Sequence, residues 1–225
     1  MPSQTPTTYQ SPAAIVFDMD GLMFNTEDIY DEVSEQVLAK RGHQFSREVK
    51  IKIMGRPGWE AMQIIIDWYG LADTVEQLYA EIDHGFSFLL LSRLQMMPGL
   101  MELLAAIEEG EIPKAVATGS SRKFAVTALS HFDLLPRFGS LLTAEDVTKG
   151  KPDPEIYFKT ARALGVAAEQ MVVFEDSLMG SRAAASAGAT TVAVPSPFCH
   201  DCDFSHAHLV VDSLHDQRVF ELLGL

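Results

Sequence analysis

Two aspartates, Asp18 and Asp20, directly follow a short apolar run at residues 13–17. In an extended backbone, residues two apart project to the same side, so we expect both carboxylates to face one site. One carboxylate of such a pair can act as a nucleophile while the other transfers protons. The pair therefore predicts a catalytic centre at the end of the first strand.

A second polar group, Thr118, Gly119 and Ser120, follows the apolar run at residues 114–117. Hydroxyl and backbone N–H groups at a strand-to-helix turn are suited to binding phosphoryl oxygens. Further on, Lys151 opens a predicted helix and supplies a positive charge for the same oxygens. These residues therefore predict an anion-binding site.

A third polar group, Glu175 and Asp176, follows the apolar run at residues 171–174. Carboxylates gathered at one site repel one another unless a cation joins them, and their hard oxygen atoms favour Mg²⁺. A carboxylate nucleophile, a divalent cation, a hydroxyl group and a lysine together suit phosphoryl transfer through an aspartyl-phosphate.

Most of the chain alternates short apolar runs with helical patterns, which is typical of an α/β fold with a doubly wound parallel sheet. The predicted strands cover residues 13–17, 114–117, 171–174 and 190–194. The predicted helices cover residues 99–109, 122–131, 154–164 and 178–187. In such sheets the binding crevice lies beyond the carboxyl ends of the strands, where the polar groups fall.

Residues 26–95 interrupt this alternation with four helical patterns and no convincing strand. Thr74 and Gln77 have the spacing of a capping box at the start of the last pattern. We therefore expect an inserted α-helical cap domain over residues 26–95. The core is expected over residues 13–25 and 96–225, after a flexible tail at residues 1–12.

The charge balance restricts the partners that this chain can bind. It contains 17 Lys and Arg against 31 Asp and Glu, a net charge of −14. Such a surface repels nucleic acid and anionic lipid, so we expect neither as a partner. The first eight residues carry no basic or apolar region typical of a signal peptide, and no apolar stretch is long enough for a membrane helix. A cytoplasmic monomer or homodimer is expected.

The two cysteines, Cys199 and Cys202, do not form a disulfide framework for a chain of this length, in keeping with a reducing cytosol. With His200 and Asp201 between them and His206 and His208 nearby, a zinc site is an alternative, but the second pair of ligands is poorly spaced. A polar surface loop with incidental thiols is the expectation.

Four segments resemble the successive motifs of the haloacid dehalogenase-like hydrolase superfamily, in the same order and with matching spacing. They are FDMDG at residues 17–21, ATGSS at 117–121, KGKPDP at 149–154 and VFEDS at 173–177. The helical insertion resembles the helical cap of that superfamily. The most similar branch contains sugar-phosphate phosphatases, β-phosphoglucomutases and pseudouridine-monophosphate phosphatases.

The resemblance implies a role for each matching residue. It implies that Asp18 is the nucleophile and that Asp20 is the general acid and base, which favours phosphate esters as substrates. It implies Mg²⁺ as the cofactor and assigns the remaining contacts as follows: Asp18, the Asp20 backbone carbonyl and Asp176 hold the metal, Glu175 lies beside it, and Thr118, Gly119 and Lys151 bind the phosphoryl group.

Two positions depart from the resemblance, and three further residues are candidate substrate contacts. Asn25 stands where many relatives have aspartate, so it can keep a hydrogen bond but not a charge. Tyr30 stands where the mutases carry a cap histidine, which weakens the mutase reading. The candidate contacts are Thr26, Arg56 in a Gly-Arg-Pro cap loop, and Ser120.

The predicted function is therefore a Mg²⁺-dependent phosphomonoesterase for a small phosphorylated metabolite, either a sugar phosphate or a nucleoside-like monophosphate. A sugar phosphomutase is the nearest alternative, since a second hydroxyl group can replace water as the acceptor. A non-enzymatic phospho-aspartate receiver shares the same residue types. The cap and Asp20, which is placed to accelerate dephosphorylation, argue against a receiver.

Overall fold

A six-stranded parallel sheet forms the centre of the protein in the computed structural model, which describes residues 12–53, 56, 58–196, 199 and 202–225. The strands are β1 Ala14–Phe17, β2 Lys114–Ala117, β3 Ser140–Leu142, β4 Met171–Glu175, β5 Thr190–Ala193 and β6 Leu209–Val210. Their order is β3-β2-β1-β4-β5-β6, and every neighbouring pair is parallel. The predicted α/β class is confirmed. The predicted tail lies outside the described residues, except for Pro12.

Four helices follow β1 before the chain returns to the sheet. They are α1 Thr26–Ala39, α2 Arg47–Ile53, α3 Gly58–Tyr69 and α4 Val75–Arg93. The capping box at the start of α4 is present, with Gln77 N donating to Thr74 Oγ1 at 3.3 Å and Thr74 N donating to Gln77 Oε1 at 2.9 Å. These helices form the inserted cap. The predicted end of the second helix, at Met54 and Gly55, lies outside the described residues.

The remaining helices are those of the core: α5 Leu100–Glu109, α6 Arg122–His131, α7 Glu155–Leu164, α8 Leu178–Ser186 and α9 Gln217–Leu223. They bury both faces of the sheet. In β1, Ile15 and Phe17 belong to one apolar cluster, whereas Ala14 and Val16 belong to another. Successive side chains of a strand point to opposite faces, so a strand covered on both sides has to be apolar throughout.

The two chain segments that join the core to the cap are hydrogen-bonded to each other. Asn25 N donates to Gln95 O at 3.1 Å, and Gln95 N donates back to Asn25 Oδ1 at 2.7 Å. Asn25 Nδ2 also donates to Arg93 O at 3.4 Å. Next to them, Met97 N donates to Met23 O at 2.9 Å. The side-chain amide of Asn25 thus both donates and accepts a hydrogen bond, which an ionised aspartate cannot do.

The cysteines differ from the expectation of incidental thiols in a polar surface loop. Cys199 and Cys202 form a disulfide. Cys199 is buried in a small apolar cluster with Ala193 and Phe204. The prediction was wrong because a spacing of three residues does not show whether the turn is solvated or packed on the sheet.

The histidines near this disulfide have partners of their own. His206 Nε2 lies 2.9 Å from Ser181 Oγ, and His208 Nδ1 accepts a hydrogen bond from Thr191 N at 3.1 Å. Two other candidate ligands of the alternative zinc site, His200 and Asp201, lie outside the described residues. Each of the helices that the structure describes is too short or too polar to cross a membrane.

One carboxylate outside the site joins three elements of the core. Glu108, on α5, accepts from Arg137 Nε at 2.8 Å and from Arg137 Nη2 at 2.7 Å. The ammonium of Lys114, at the start of β2, lies 2.9 Å from the same carboxylate. These contacts, led by the hydrogen bond from Arg137, lower the pKa of Glu108 to about 2.

We expect Glu108→Gln to lower the free energy of unfolding by about 1 kcal/mol at pH 7, a value that allows for partial solvent exposure of the carboxylate. A lowered pKa means that the stabilisation is present above the ordinary value of 4.5 and is lost as the pH falls toward 2. Urea unfolding of both proteins between pH 6 and pH 3 measures this. The stability difference should shrink with decreasing pH, and Glu109→Gln on the same helix should show no such trend.

Candidate active site

The polar groups singled out in the sequence meet at the carboxyl edge of the sheet. Asp18 follows β1, Thr118 follows β2, and Glu175 is the last residue of β4. The strands β2, β1 and β4 are neighbours in the sheet, and β1 lies between the other two. Because parallel strands end at one edge, residues far apart in the sequence come together there.

Lys151 carries the central positive charge of this site. Its Nζ atom lies 2.5 Å from Asp18 Oδ1 and 2.6 Å from Glu175 Oε1, and it donates to Ala117 O at 3.1 Å. The side chain of Lys151 is 12% exposed, and that of Glu175 is fully buried. One buried ammonium group therefore serves two buried carboxylates.

Glu175 is further held by two hydroxyl groups that were not predicted from the sequence. The buried Tyr157, on α7, donates to Glu175 Oε1. Ser177 Oγ donates to Glu175 Oε2 at 3.1 Å. Tyr157 lies on the apolar face of α7, where an aromatic residue is indistinguishable by pattern from a core side chain. The only feature of the sequence that could have indicated its role is the presence of a phenol six residues after Lys151.

Asp20 contacts the turn after β2. Its Oδ2 atom accepts from Thr118 Oγ1 at 3.0 Å and from Ser120 Oγ at 2.7 Å. Ser120 N in turn donates to Thr118 Oγ1 at 3.0 Å. Within the described residues, neither Asp20 Oδ1 nor Thr26 Oγ1, both buried, has a hydrogen-bond partner. The hydroxyl groups predicted to bind phosphoryl oxygens or substrate thus also orient the second aspartate.

Asp176 lies against the turn that follows β1. A Cβ atom at Gly21, where φ is +75°, would lie 2.2 Å from Asp176 Oδ2, so only glycine fits. Asp176 is 4% exposed, and Glu27 at the start of α1 contributes to the negative charge around it. The cap therefore adds one more carboxylate next to the core site.

The electrostatics of the site favour a bound cation. Burial raises the pKa of Asp18 to about 8, Lys151 opposes this rise, and Glu175 and Asp20 add to it. Burial, followed by the charges of Asp18 and Glu175, raises the pKa of Asp176 well above its ordinary value. Burial also raises the pKa of Asp20, while the hydroxyl groups of Ser120 and Thr118 counteract it. These carboxylates are too close to be ionised together without additional positive charge.

The residues present fit a divalent metal ion. One oxygen each from Asp18, Glu175 and Asp176 lies within 4.8 Å of the others. All three side chains are buried, and hard carboxylate oxygens are the ligands that Mg²⁺ prefers. In the part of the chain that the structure describes, this is the only group of three or more such residues close enough to hold a metal.

Two predicted residues are placed away from these contacts. Gly119 is exposed, and a Cβ atom there would meet no other atom within 4 Å. Packing therefore does not require glycine at this position. Arg56 donates from Nε to Lys52 O at 2.7 Å, and its Nη1 lies 3.5 Å from Glu60. None of the described contacts joins Arg56 to the acidic site, and its role in substrate binding stays a prediction.

The fold and the site define a class of α/β proteins with a carboxylate-rich site at the edge of a parallel sheet, next to an inserted helical cap. Residues 15–194 match the haloacid dehalogenase-like hydrolase family. The chain belongs to this family, which confirms the resemblance drawn from the four motifs.

Curated relatives from two organisms are named as phosphatases. The chain is 33% identical over 175 residues to a phosphorylated carbohydrates phosphatase of Thermotoga maritima, covering 78% of this chain and 81% of the relative. It is 34% identical over 202 residues to a yeast protein, from Saccharomyces cerevisiae, named "Probable pseudouridine-5'-phosphatase", covering 83% and 84%.

A solved structure shares the fold. It is the β-phosphoglucomutase of Clostridium difficile, with a TM-score of 0.77 and 21% identity, covering 95% of this chain and 97% of that one. At this level of identity the likeness supports the core-and-cap architecture alone.

Gly180 provides a test of how tightly the site is built. A Cβ atom there would lie 1.9 Å from Glu175 Oε1, so Gly180→Ala must displace either α8 or the Glu175 carboxylate. We expect the free energy of unfolding to fall by about 2–4 kcal/mol, as for other overpacked buried positions. Urea denaturation measures it. Gly139→Ala, whose Cβ would lie at an ordinary 3.6 Å from Lys114 O, is the control, and equal losses would contradict the argument.

Proposed function

We propose that this protein is a Mg²⁺-dependent phosphomonoesterase that hydrolyses a small phosphorylated metabolite, a sugar phosphate or a nucleoside-like monophosphate. The relatives named as phosphatases support the reaction class. The observation that carries the proposal is the position of Asp20. Its side chain is partly buried and burial raises its pKa, while the hydroxyl groups of Thr118 and Ser120 donate to one oxygen and the hydroxyl group of Thr26 lies close to the carboxyl group.

In the first half-reaction, an oxygen of Asp18 bonds to phosphorus while the bond from phosphorus to the alcohol oxygen breaks. Asp20 gives its proton to that oxygen, so the alcohol leaves as a neutral molecule. Burial raises the pKa of the Asp20 carboxyl group, which favours the protonated form that can serve as an acid. The products are a free alcohol and a phosphorylated Asp18.

In the second half-reaction, Asp20 is the base. It takes a proton from a water molecule whose oxygen attacks phosphorus, and the bond from phosphorus to the Asp18 carboxylate breaks. Phosphate leaves, Asp18 is regenerated, and Asp20 again holds its proton. One residue therefore serves both steps, which is the reason that its hydroxyl contacts to Thr118 and Ser120 matter.

Lys151 and the turn after β2 bind the phosphoryl group. When the substrate enters, the ammonium group beside Asp18 is close enough to share the charge of the phosphoryl oxygens. The backbone N–H group of Gly119 can donate to the same oxygens at the turn that leads into α6. Preorganised positive charge and donors of this kind stabilise the transition state.

Mg²⁺ would be held by Asp18, Asp176 and the backbone carbonyl of Asp20, with Glu175 beside it. Its chemistry there is that of a Lewis acid, which stabilises negative charge that develops on the phosphoryl oxygens. It would also offset the mutual repulsion of the buried carboxylates.

The mutase alternative differs in the acceptor and therefore in the product. A mutase yields an isomerised ester, whereas a phosphatase yields free phosphate. Tyr30, which occupies the position of the mutase cap histidine, lacks a group that titrates near neutral pH, and this favours the phosphatase. The receiver alternative leaves the inserted cap without a use.

Asp18→Asn and Asp20→Asn should differ in the step of the reaction that each blocks. Without Asp18 no covalent intermediate can form, so activity should vanish. Without the acid and base at Asp20, turnover should fall by about 10²- to 10⁴-fold. With p-nitrophenyl phosphate the leaving group needs little protonation, so Asp18 in Asp20→Asn can still be phosphorylated. Rapid mixing should give a burst of about one equivalent of nitrophenol and then a slow phase.

Intact-mass measurement should then show one added phosphoryl group on Asp20→Asn and none on Asp18→Asn. The absence of both the burst and the adduct would show that the assigned roles are wrong. Isomerised ester as the main product from a hexose phosphate, with little free phosphate, would support the mutase instead.

Removal of the metal should abolish activity and also lower stability. Because a ligand that binds only the folded state stabilises it, Mg²⁺ should raise the melting temperature of chelator-treated protein. Asp176→Asn should remove most of this shift by deleting a ligand, while Asp153→Asn, a surface carboxylate near Lys149, should keep it. Differential scanning fluorimetry over a Mg²⁺ titration measures this, and an equal shift in both variants would contradict the assigned ligands.

A further inference from the structure

The first helix of the cap presents Thr26 and Tyr30 on one face. They are four residues apart, and helical side chains at this spacing lie one above the other and tilt toward the N-terminus of the helix. Thr26 is buried at that N-terminus, one residue after the segment that joins core and cap. The Tyr30 side chain therefore projects toward the site that contains Asp20.

The long helix α4 lines the same space. Tyr79, Asp83 and Phe86 follow one another at intervals of four and three residues and so share a face of α4. The ring of Phe86 stacks on that of Tyr30, with centroids 4.0 Å apart and planes inclined by 16°. The position of Tyr79 is also defined, since a Cβ atom at Gly58 would lie 2.7 Å from its ring.

Phe86 also connects this face to the core. Its ring meets that of Phe124 edge to face, with centroids 5.4 Å apart. Phe124 N donates to Ser121 Oγ at the start of α6, beside the turn whose hydroxyl groups hold Asp20. The cap face formed by Tyr30, Tyr79, Asp83 and Phe86 thus adjoins the phosphate-binding turn. Partial burial, followed by the charges of Asp20 and Asp83, raises the pKa of the Tyr30 phenol, while Tyr30 stays 44% exposed.

Most cap cations with described contacts are paired with carboxylates of the cap itself, and Lys52 lies over the Trp68 ring, 5.4 Å from its centroid. Arg41 contacts Asp73 at 2.6 Å and Glu81 at 2.7 Å. Lys50 pairs with Asp31. The guanidinium of Arg56 lies 3.5 Å from Glu60 and donates to a backbone carbonyl of α2. The face beside Tyr30 instead contributes two phenols and a carboxylate.

We infer that Tyr30 and Asp83 select the leaving group: the preferred substrates are phosphomonoesters whose alcohol part is hydroxylated and carries no second negative charge. The phenols offer hydrogen bonds to neutral hydroxyl groups. The negative charge of Asp83 repels a carboxylate or a second phosphate on the same molecule. This inference rests on the proposed phosphatase activity and specifies its substrate class.

A matched pair of substrates tests it. Glycerol 3-phosphate and 3-phosphoglycerate differ only in a terminal hydroxymethyl group against a carboxylate. We expect kcat/KM for glycerol 3-phosphate to be higher by about three- to tenfold, as expected for one like charge on an exposed side chain. Glucose 6-phosphate and 6-phosphogluconate should differ in the same direction. Phosphate release in saturating Mg²⁺, with p-nitrophenyl phosphate as a reference, gives the values.

Two variants assign the discrimination to this face. Asp83→Asn should shift the ratio toward 3-phosphoglycerate by about threefold or more, because it removes the repelling charge. Tyr30→Phe keeps the stack on Phe86 but loses the hydroxyl, so kcat/KM for glycerol 3-phosphate relative to p-nitrophenyl phosphate should fall by about fivefold. Asp67→Asn is the control, since Asp67 contacts Gln63 on its own helix, and it should leave both ratios unchanged.

Equal or better use of 3-phosphoglycerate by the wild type would overturn the inference while leaving the phosphatase proposal intact; this is the result expected if Arg56 recognises a second anion. The inference also fails if Asp83→Asn and Asp67→Asn give the same ratio. If none of the phosphomonoesters is hydrolysed, the proposed function itself is wrong, and the inference falls with it.

Discussion

The ammonium group of Lys151 is shared by two buried carboxylates, and the arrangement of the site depends on it. Each of Asp18 and Glu175 would be costly to bury as an isolated ion, and removal of one partner from such a group leaves an uncompensated charge. The hydroxyl groups of Tyr157 and Ser177 complete the hydrogen bonding of Glu175. A neutral replacement at Lys151 would therefore disturb both the predicted nucleophile and the acidic residue at the end of β4.

Because one ammonium group is shared by two carboxylates, the site has more negative than positive charge. This imbalance affects the remaining two aspartates. None of the described contacts of Lys151 is to Asp176 or Asp20, and both aspartates keep raised pKa values although the charge of Lys151 opposes the rise. The two aspartates have different surroundings, however. Asp176 lies against Gly21 with carboxylate neighbours, which suits a metal ligand, whereas Asp20 faces hydroxyl groups, which suits a proton carrier. The difference in surroundings thus separates two chemically identical side chains into two proposed roles.

The site could be predicted from the sequence where polar residues directly follow predicted strands. Asp18, Thr118 and Glu175 stand at the ends of apolar runs, and parallel strands bring such ends together, so their proximity could be predicted. Strands β3 and β6 were not predicted, because runs of three and two residues carry no periodicity. Tyr157 was missed because its position on α7 resembles that of any core residue. The Cys199–Cys202 disulfide depends on packing that local spacing does not encode.

The hydrogen bonds between Asn25 and Gln95 fix the two ends of the cap insertion next to each other. To the core, the intervening chain is therefore equivalent to a tight turn, whatever its length or sequence. Residues in the cap can be exchanged, added or lost without changing the distance that β1 and α5 must span. The part of the protein proposed to contact the alcohol can thus diverge while the part proposed to handle phosphorus is kept, so one core can acquire new substrates by altering only what is inserted at this junction.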